Sequence, residues 1–368
     1  MARIGMVSIW FHRGQTEVTQ TIRRALEDNG HEVFIFARMG QVYGQEKCES
    51  TDPYFAVQNL TIWPKYQIPV NVLELWSRKN KLDAVVFNEE YDFSLPAILE
   101  ISGIKTIHYV DFLHSDWKEP LKKYYHLLWS ATYRTLKQLE DLGLYEKSFC
   151  MGWGIHAKHQ PYHGAIEPDY DFFTNQGWLG INLRKGCDFF LKAFDLLNEQ
   201  KRYTALVHAQ VPPSMLPDDL QAIVHKYQAA GNLQWLMATV PPPGLYHRGK
   251  VVVQPSRLEG LGLTIPEAMW QGRAVITTDA PPMSEFIIQP ELRAKVTSIH
   301  QRSDGLIFPE CEVDISSLAD AMRLAASVGV LWKGYGTFNR KRALSVFDWG
   351  KFCQQVQHSL DRLGLQSC

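Results

Sequence analysis

The chain alternates short, continuously apolar runs with longer segments in which apolar residues recur every three or four positions. Ile4 to Trp10 is one such run, and the polar loop Phe11-His-Arg-Gly-Gln15 follows it. Val18, Ile22, Ala25 and Leu26 then recur at helical spacing up to Gly30, and a second apolar run spans Glu32 to Phe36. Runs that are apolar throughout fit strands buried on both faces, whereas the three-to-four spacing fits a helix with one buried side. The same alternation predicts a helix over Asn71 to Arg78 and a strand over Ala84 to Phe87. It continues with a helix over Leu95 to Ile101 ending at Gly103, a strand over Lys105 to Val110, a helix over Tyr133 to Leu142 and a strand over Ser148 to Met151. It resumes with a strand over Phe172 to Asn175 and a helix over Cys187 to Asn198. Strands at Ala205 to Ala209, Leu233 to Met237 and Val251 to Gln254 follow, then a strand over Gly305 to Phe308 and helices over Ile315 to Ala326 and Phe347 to Leu363. Strands alternating with helices in this way predict an α/β protein with parallel sheets. Residues 38 to 60 are polar and irregular. Trp117 to Trp129 mixes aromatics with lysines and reads as a core helix with a solvated edge or as a helix lying on a membrane surface.

One stretch concentrates the candidate chemistry. The strand ending at Gln254 is broken by Pro255 and Ser256, and Gly260 and Gly262 permit a tight turn. Pro266 suits a first helical turn, Gly272 stops the helix, and Ala274 to Thr278 is the next buried strand. Strand, glycine loop and helix start together present free backbone N–H groups, which favour an anion such as a phosphate. Two carboxylates, Glu259 and Glu267, sit in this stretch with seven residues between them. A carboxylate repels a phosphate but accepts hydrogen bonds from hydroxyls. A phosphate flanked by two sugars therefore fits both features, although each Glu alone also reads as a solvated loop residue or a helix-dipole partner.

The order Pro-Ser, Glu259-Gly-Leu-Gly-Leu, Glu267-Ala-Met, Gly272 and an apolar strand ending at Asp279 resembles the Glu-seven-Glu motif of retaining GT-B glycosyltransferases, in the family-four branch known as glycosyl transferases group 1. The resemblance implies two doubly wound, Rossmann-like domains facing across a cleft. Residues 1–156 would form the acceptor-side domain, with a C-terminal helix at 347–368 returning to it. Residues 157–170 would be a linker and 171–346 the nucleotide-sugar domain. It implies transfer of a sugar from a nucleoside diphosphate to a glycan, lipid or small-molecule hydroxyl, with retention of configuration; no cofactor or metal is expected, because the helix terminus and Lys185 supply positive charge and the sequence offers no convincing metal cluster. Glu267 would hold the ribose, Glu259 the donor sugar and Lys185 the diphosphate, with the amides near Gly260, Gly262, Leu263 and Thr264 capping phosphate. His108, ending the Lys105 to Val110 strand, would orient the sugar, and Gly14 would face the donor phosphates or the acceptor, although it also reads as a plain turn glycine. Glu89, Glu90 and Asp111 stand at the same strand edge as His108, where open α/β sheets bind ligands. The family carries an Arg six residues before the Lys, where this chain has Leu179. Arg184 is the candidate replacement, and a solvated residue at a helix start is the other reading of it.

Composition narrows the classes. At 368 residues, 45% hydrophobic and 21% charged, the chain has room for two globular domains. Its 38 basic and 39 acidic residues argue against nucleic-acid binding through bulk charge. Its cysteines form no Cys-x-x-Cys pair, which fits a reduced, cytoplasmic setting, peripheral to a membrane if the Trp117 segment lies on one. Asp169-Tyr-Asp171 has a metal-binding spacing but falls at the N-terminal end of a strand, away from the ligand edge. A non-catalytic nucleotide-sugar-binding partner subunit, or a phosphorylase or epimerase of the same architecture, remains the alternative.

Overall fold

The computed structural model describes residues 1–40, 47–179, 183–199, 203–327 and 331–366. Parts of three sequence expectations lie outside them: residues 41–46 of the irregular stretch, 180–182 of the loop before Lys185, and the last two residues of the tail. The chain folds as two units, Met1–Gly154 with Trp349–Cys368, and Ile155–Asp348.

In the first unit the elements run β1 (Arg3–Ile9), α1 (Gly14–Asp28), β2 (Glu32–Arg38), β3 (Leu60–Trp63), α2 (Val70–Lys79), β4 (Ala84–Asn88), α3 (Ser94–Ile101), β5 (Lys105–Tyr109), α4 (Lys118–Tyr124), β6 (Leu127–Ser130), α5 (Tyr133–Asp141) and β7 (Ser148–Cys150). The strands form one parallel sheet in the order β3-β2-β1-β4-β5-β6-β7. Its central strands are apolar because helices cover both faces, and Ile4, Val7, Val85, Val86 and Ile107 have no exposed surface.

In the second unit the order is β8 (Tyr170–Gly177), α6 (Cys187–Asn198), β9 (Ala205–Ala209), α7 (Asp218–Ala229), β10 (Leu233–Met237), β11 (Gly249–Gln254), α8 (Thr264–Trp270), β12 (Ala274–Thr278), α9 (Met283–Phe286), β13 (Arg293–Ala294), β14 (Val296–His300), β15 (Glu310–Val313), α10 (Ile315–Ser327) and α11 (Leu331–Val346). A second parallel sheet, β10-β9-β8-β11-β12-β13, forms its centre, and β14 and β15 pair as an antiparallel ribbon. The last helix, α12 (Trp349–Asp361), belongs to the first unit. There Asn29 Nδ2 donates to the Cys353 carbonyl at 2.8 Å, and Trp129 Nε1 donates to Ser359 Oγ at 2.8 Å. A Cβ on Gly154 would stand 2.5 Å from Phe352 Cβ, so the chain passes directly against this helix.

Three local expectations are corrected. Trp117 to Trp129 is not one helix: α4 stops at Tyr124, and Leu127–Ser130 is a buried strand between β5 and β7. A short apolar run fits helix and strand equally until a sheet has an open edge for it. Gly305 to Phe308 is not a strand but lies between β14 and β15. Gly14 is not in the loop; it is the first residue of α1, after Arg13 as N-cap. The irregular stretch, residues 38–60, lies between β2, which ends at Arg38, and edge strand β3, which begins at Leu60.

Candidate functional site

Both sheets have a point where the strand order reverses, between β1 and β4 in the first unit and between β8 and β11 in the second. The connections leaving the two strands at such a point diverge to opposite faces, and this opens a crevice at their carboxyl ends. In the second unit those connections carry Leu179 and Leu183 to Gly186 after β8 and Pro255 to Leu263 after β11. Segments about seventy residues apart in sequence are thereby set against each other.

They are clamped closely. Gly186, at φ 72°, is the N-cap of α6, and a Cβ there would stand 2.1 Å from the Pro255 carbonyl oxygen. The Arg257 amide donates to the Arg184 carbonyl at 2.8 Å. The Arg257 guanidinium makes two bonds to Asp188, at 2.7 and 2.8 Å, donates to the Leu183 carbonyl at 3.1 Å, and lies 3.8 Å from the Phe189 ring centre. Gln254 Nε2 donates to Ser256 Oγ at 3.2 Å and to the Lys185 carbonyl at 3.3 Å. Thr278 Oγ1 donates to the Ser256 carbonyl at 2.7 Å, fixing the strand ends.

This clamp puts three charges in contact. Arg184 Nη1 donates to Glu259 Oε2 at 2.7 Å and to the Leu258 carbonyl at 2.9 Å. Lys185 Nζ donates to Glu259 Oε1 at 2.8 Å, and Ser256 Oγ donates to the same oxygen at 2.7 Å. The Glu259 side chain is only 4% exposed, whereas those of Arg184 and Lys185 are 22% and 20% exposed. Burial would raise the Glu259 carboxyl. The Lys185 ammonium and Arg184 guanidinium, with hydrogen bonds from Lys185 and Ser256, outweigh it and hold the group at about 2. At neutral pH the site thus holds an ionised, buried carboxylate against two partly exposed cations.

Leu179 occupies a different environment. It is buried, with φ 64°, and its carbonyl accepts from the Lys185 amide at 3.3 Å. The second cation on Glu259 is Arg184.

Beyond Glu259, Gly260 is buried, and Gly262 turns the chain at φ 75°, where a Cβ would stand 3.3 Å from Glu259 Cγ. Leu263 is the N-cap of α8 and Thr264 its first residue. The first amides of any helix have no intrahelical partner, so those near Leu263 and Thr264 are the donors this turn offers. Glu267, one turn further on, accepts from the Tyr246 hydroxyl at 2.5 Å through Oε2 and from Gln160 Nε2 at 3.4 Å through Oε1. Asn175 Nδ2, on β8, donates to the same Tyr246 oxygen at 3.2 Å. Burial and the neighbouring Glu267 carboxylate push the Tyr246 hydroxyl well above its ordinary pKa, so it remains a donor.

In the first unit the reversal point holds Gly14, Glu89 and Glu90. Glu89 has φ 50°, an uncommon backbone for a non-glycine residue. Its carbonyl accepts from Arg38 Nη2 at 2.7 Å, and Arg38 Nε pairs with Glu90 Oε2 at 2.7 Å, both side chains being buried. Glu90 is therefore committed to an ion pair inside the unit. His108 is 1% exposed and lies under Tyr125 and Tyr91, with ring centres 5.0 and 6.2 Å away. Burial lowers its pKa to about 3, making it a neutral imidazole, and its Nδ1 has no hydrogen-bond partner among the described residues. Asp111 follows β5 at this edge. Asp169 and Asp171 lie in the second unit, where Asp169 pairs with Arg248 at 2.8 Å and Asp171 with Lys250 at 2.7 Å. Among the described residues no three His, Cys, Asp or Glu side chains form a metal-ligating group.

The structure brings together Arg184, Lys185, Glu259 and the glycine turn, with Glu267 one helical turn beyond it. Sequence reasoning missed Tyr246, Asn175, Asp188 and the bridging role of Arg257. No local pattern marks them; each acts on a residue distant in sequence.

Residues 176–326 match the family model described as Glycosyl transferases group 1. A lipopolysaccharide core biosynthesis mannosyltransferase, LpcC, of Rhizobium leguminosarum bv. viciae is 34% identical over 131 residues, which are 34% of this chain and 35% of the relative. The match thus spans about a third of the curated relative's length. A sucrose-phosphate synthase from Thermosynechococcus elongatus is similar in fold over 99% of both chains, with a TM-score of 0.74 and 16% identity. The Anabaena protein HepE, solved in complex with UDP and glucose, is similar over 98% of this chain and 100% of its own, with a TM-score of 0.74 and 12% identity. The two parallel-sheet units thus share the fold of these two structures.

Proposed function

We propose that this protein, whose residues 176–326 match the Glycosyl transferases group 1 model, is a retaining glycosyltransferase that moves a sugar from a nucleoside diphosphate to an acceptor hydroxyl. The observation that carries this reading is the convergence of Arg184 and Lys185 on Glu259 at the sheet reversal, beside the Glu267–Tyr246 pair. Two cations suit a diphosphate, and the two carboxylates suit hydroxyls on either side of it. UDP in the HepE structure supports a nucleoside diphosphate, and the LpcC likeness makes nucleotide-linked mannose the first donor to test. A glycan is the first acceptor class to test for the same reason.

In this reading the bond between the anomeric carbon and the diphosphate oxygen breaks, its electron pair going to the phosphate. Lys185 and Arg184 stabilise the charge that builds there. The acceptor oxygen bonds to the anomeric carbon on the same face, and its proton passes to the departing phosphate oxygen. Glu259 positions the sugar and Glu267 the ribose. His108, neutral and buried, orients the sugar as a hydrogen-bonding group rather than as a charged acid. The reaction needs no divalent metal, because the two side-chain cations supply the positive charge.

The test is a panel of UDP-, GDP- and ADP-hexoses, beginning with mannose and glucose, incubated with glycan acceptors. Donor turnover is followed by nucleoside diphosphate release and product configuration by NMR, with and without a chelator. A retained anomeric configuration and chelator-resistant transfer are expected. Saturation at about 100 times the dissociation constant would stabilise the fold by roughly 2.7 kcal/mol. Absence of any melting shift with every nucleotide at millimolar concentration would refute the donor site.

A further inference from the structure

Glu259 binds both cations of the candidate donor site at once, and this has a consequence for which nucleotide the site prefers. Arg184 and Lys185 reach it at 2.7 and 2.8 Å, one on each carboxylate oxygen, and Ser256 donates to the oxygen that Lys185 also uses. The carboxylate is almost completely buried; the two cations are partly exposed. A diphosphate approaching the cations from solvent competes with Glu259 for them. If the cations turn to the phosphates, Glu259 loses two positive charges that offset its burial, and a buried carboxylate with less compensation is costly.

We propose that Glu259 discriminates the intact donor from the released nucleoside diphosphate. The inference rests on the nucleotide-sugar reading of this site. An intact donor carries sugar hydroxyls on the far side of its diphosphate, and these donate to the Glu259 oxygens as the cations leave them. A nucleoside diphosphate brings the same phosphates and no such hydroxyls. With the product bound, Glu259 retains a claim on Arg184 and Lys185, and re-forming those pairs displaces the product. The carboxylate that positions the sugar thus also weakens the hold on the product once the sugar has gone. Ser256 holds the carboxylate in place through the exchange, because its own position is fixed by the strand ends and not by the cations.

The experiment measures, by titration calorimetry, the affinities of UDP, GDP, ADP and their hexose conjugates for the full chain and for Glu259→Gln and Glu259→Asp. Inorganic pyrophosphate serves as a probe lacking both base and sugar. In Glu259→Gln the nucleoside diphosphate and pyrophosphate should bind roughly tenfold more tightly, since close charge pairs couple by at least that much. The ratio of donor affinity to product affinity should fall by a similar factor. Glu259→Asp keeps the charge on a shorter side chain and should shift the ratio in the same direction by less. It decides the matter if the Gln variant does not fold. Measurable product binding with an unchanged or increased donor-to-product ratio in these variants overturns the discrimination alone. Failure of the wild type and both variants to bind any of the three nucleoside diphosphates overturns the donor-site reading, and the inference with it.

Discussion

The Glu259 cluster should make the second unit's stability depend on pH in a defined window. The carboxyl falls from an ordinary value of 4.5 to about 2 in the folded chain. Burial acts in the opposite direction, so the fall comes from Lys185, Arg184 and the hydrogen bonds to Lys185 and Ser256. A depressed carboxyl means that the unfolded chain binds the proton more readily than the fold does. The associated stability is therefore present above the unfolded value and is lost as pH falls toward 2. At 1.36 kcal/mol per pH unit, the drop from 4.5 to about 2 is worth about 3 kcal/mol at neutral pH. Of that, about 2 kcal/mol is lost between pH 6 and pH 3. Glu259→Gln preserves the shape of the side chain and removes the titration. Urea unfolding of both proteins at the two pH values, with each unit's transition fitted separately, gives the gap between them. Pairwise comparison cancels the carboxyls the two chains share. The stability gap should shrink by about 2 kcal/mol on going from pH 6 to pH 3. A gap that stays constant or widens refutes the argument that the two cations hold Glu259 ionised.

Four further outcomes follow from the geometry. Tyr246→Phe removes a charge-assisted donor to Glu267 and should weaken nucleoside diphosphate binding by about tenfold while changing kcat much less, as measured by calorimetry and donor KM; equal loss in kcat and kcat/KM would contradict a positioning role. Lys185→Ala should lower transfer by roughly a hundredfold or more, judged by the usual worth of one donor to a developing charge, and Arg184→Ala should also lower it, with Arg184→Lys recovering part; wild-type rates in Arg184→Ala would remove Arg184 from the site. Gly186→Ala places a Cβ 2.1 Å from the Pro255 carbonyl at a left-handed φ, so about 1–3 kcal/mol of stability should be lost, read as a lowered Tm. In the first unit, burial raises the Glu17 carboxyl to about 7 against the opposing effect of the Tyr54 hydroxyl bonded to it at 2.5 Å. The fold holds that proton more tightly than the open chain does, so this group erodes stability as pH rises from 4.5 to 7, and Glu17→Gln should flatten that slope in urea unfolding.

The class of fold and the position of the strand-to-helix turn at Gly260 to Pro266 were legible in the sequence alone. Buried parallel strands need continuous apolar runs and their covering helices need a one-sided pattern, so Ile4 to Trp10 and Val251 to Gln254 were readable without neighbours. The turn from Gly260 to Pro266 was readable because a tight strand-to-helix connection restricts residue type locally. Less regular elements were not. Leu127–Ser130 became a strand because β5 and β7 offered it edges. Helix α11 carries Gly334 and Gly336 and shows no single apolar face, and it is held by contacts such as Asn339 Nδ2 to the Arg273 carbonyl at 2.9 Å.

The charge arrangement of the site was decided only by tertiary structure. Nothing local says that Arg184 and Lys185 meet Glu259, that Tyr246 holds Glu267, or that Arg257 ties Asp188 to the turn. Those pairings exist because the reversal of strand order between β8 and β11 brings two distant connections to one crevice. The same holds for His108, whose strand-end position was evident in sequence and whose burial between Tyr91 and Tyr125 was not. A strand's apolar pattern specifies which sheet face a side chain joins, but which charges share a buried volume depends on strand order, and strand order is a long-range property of the chain.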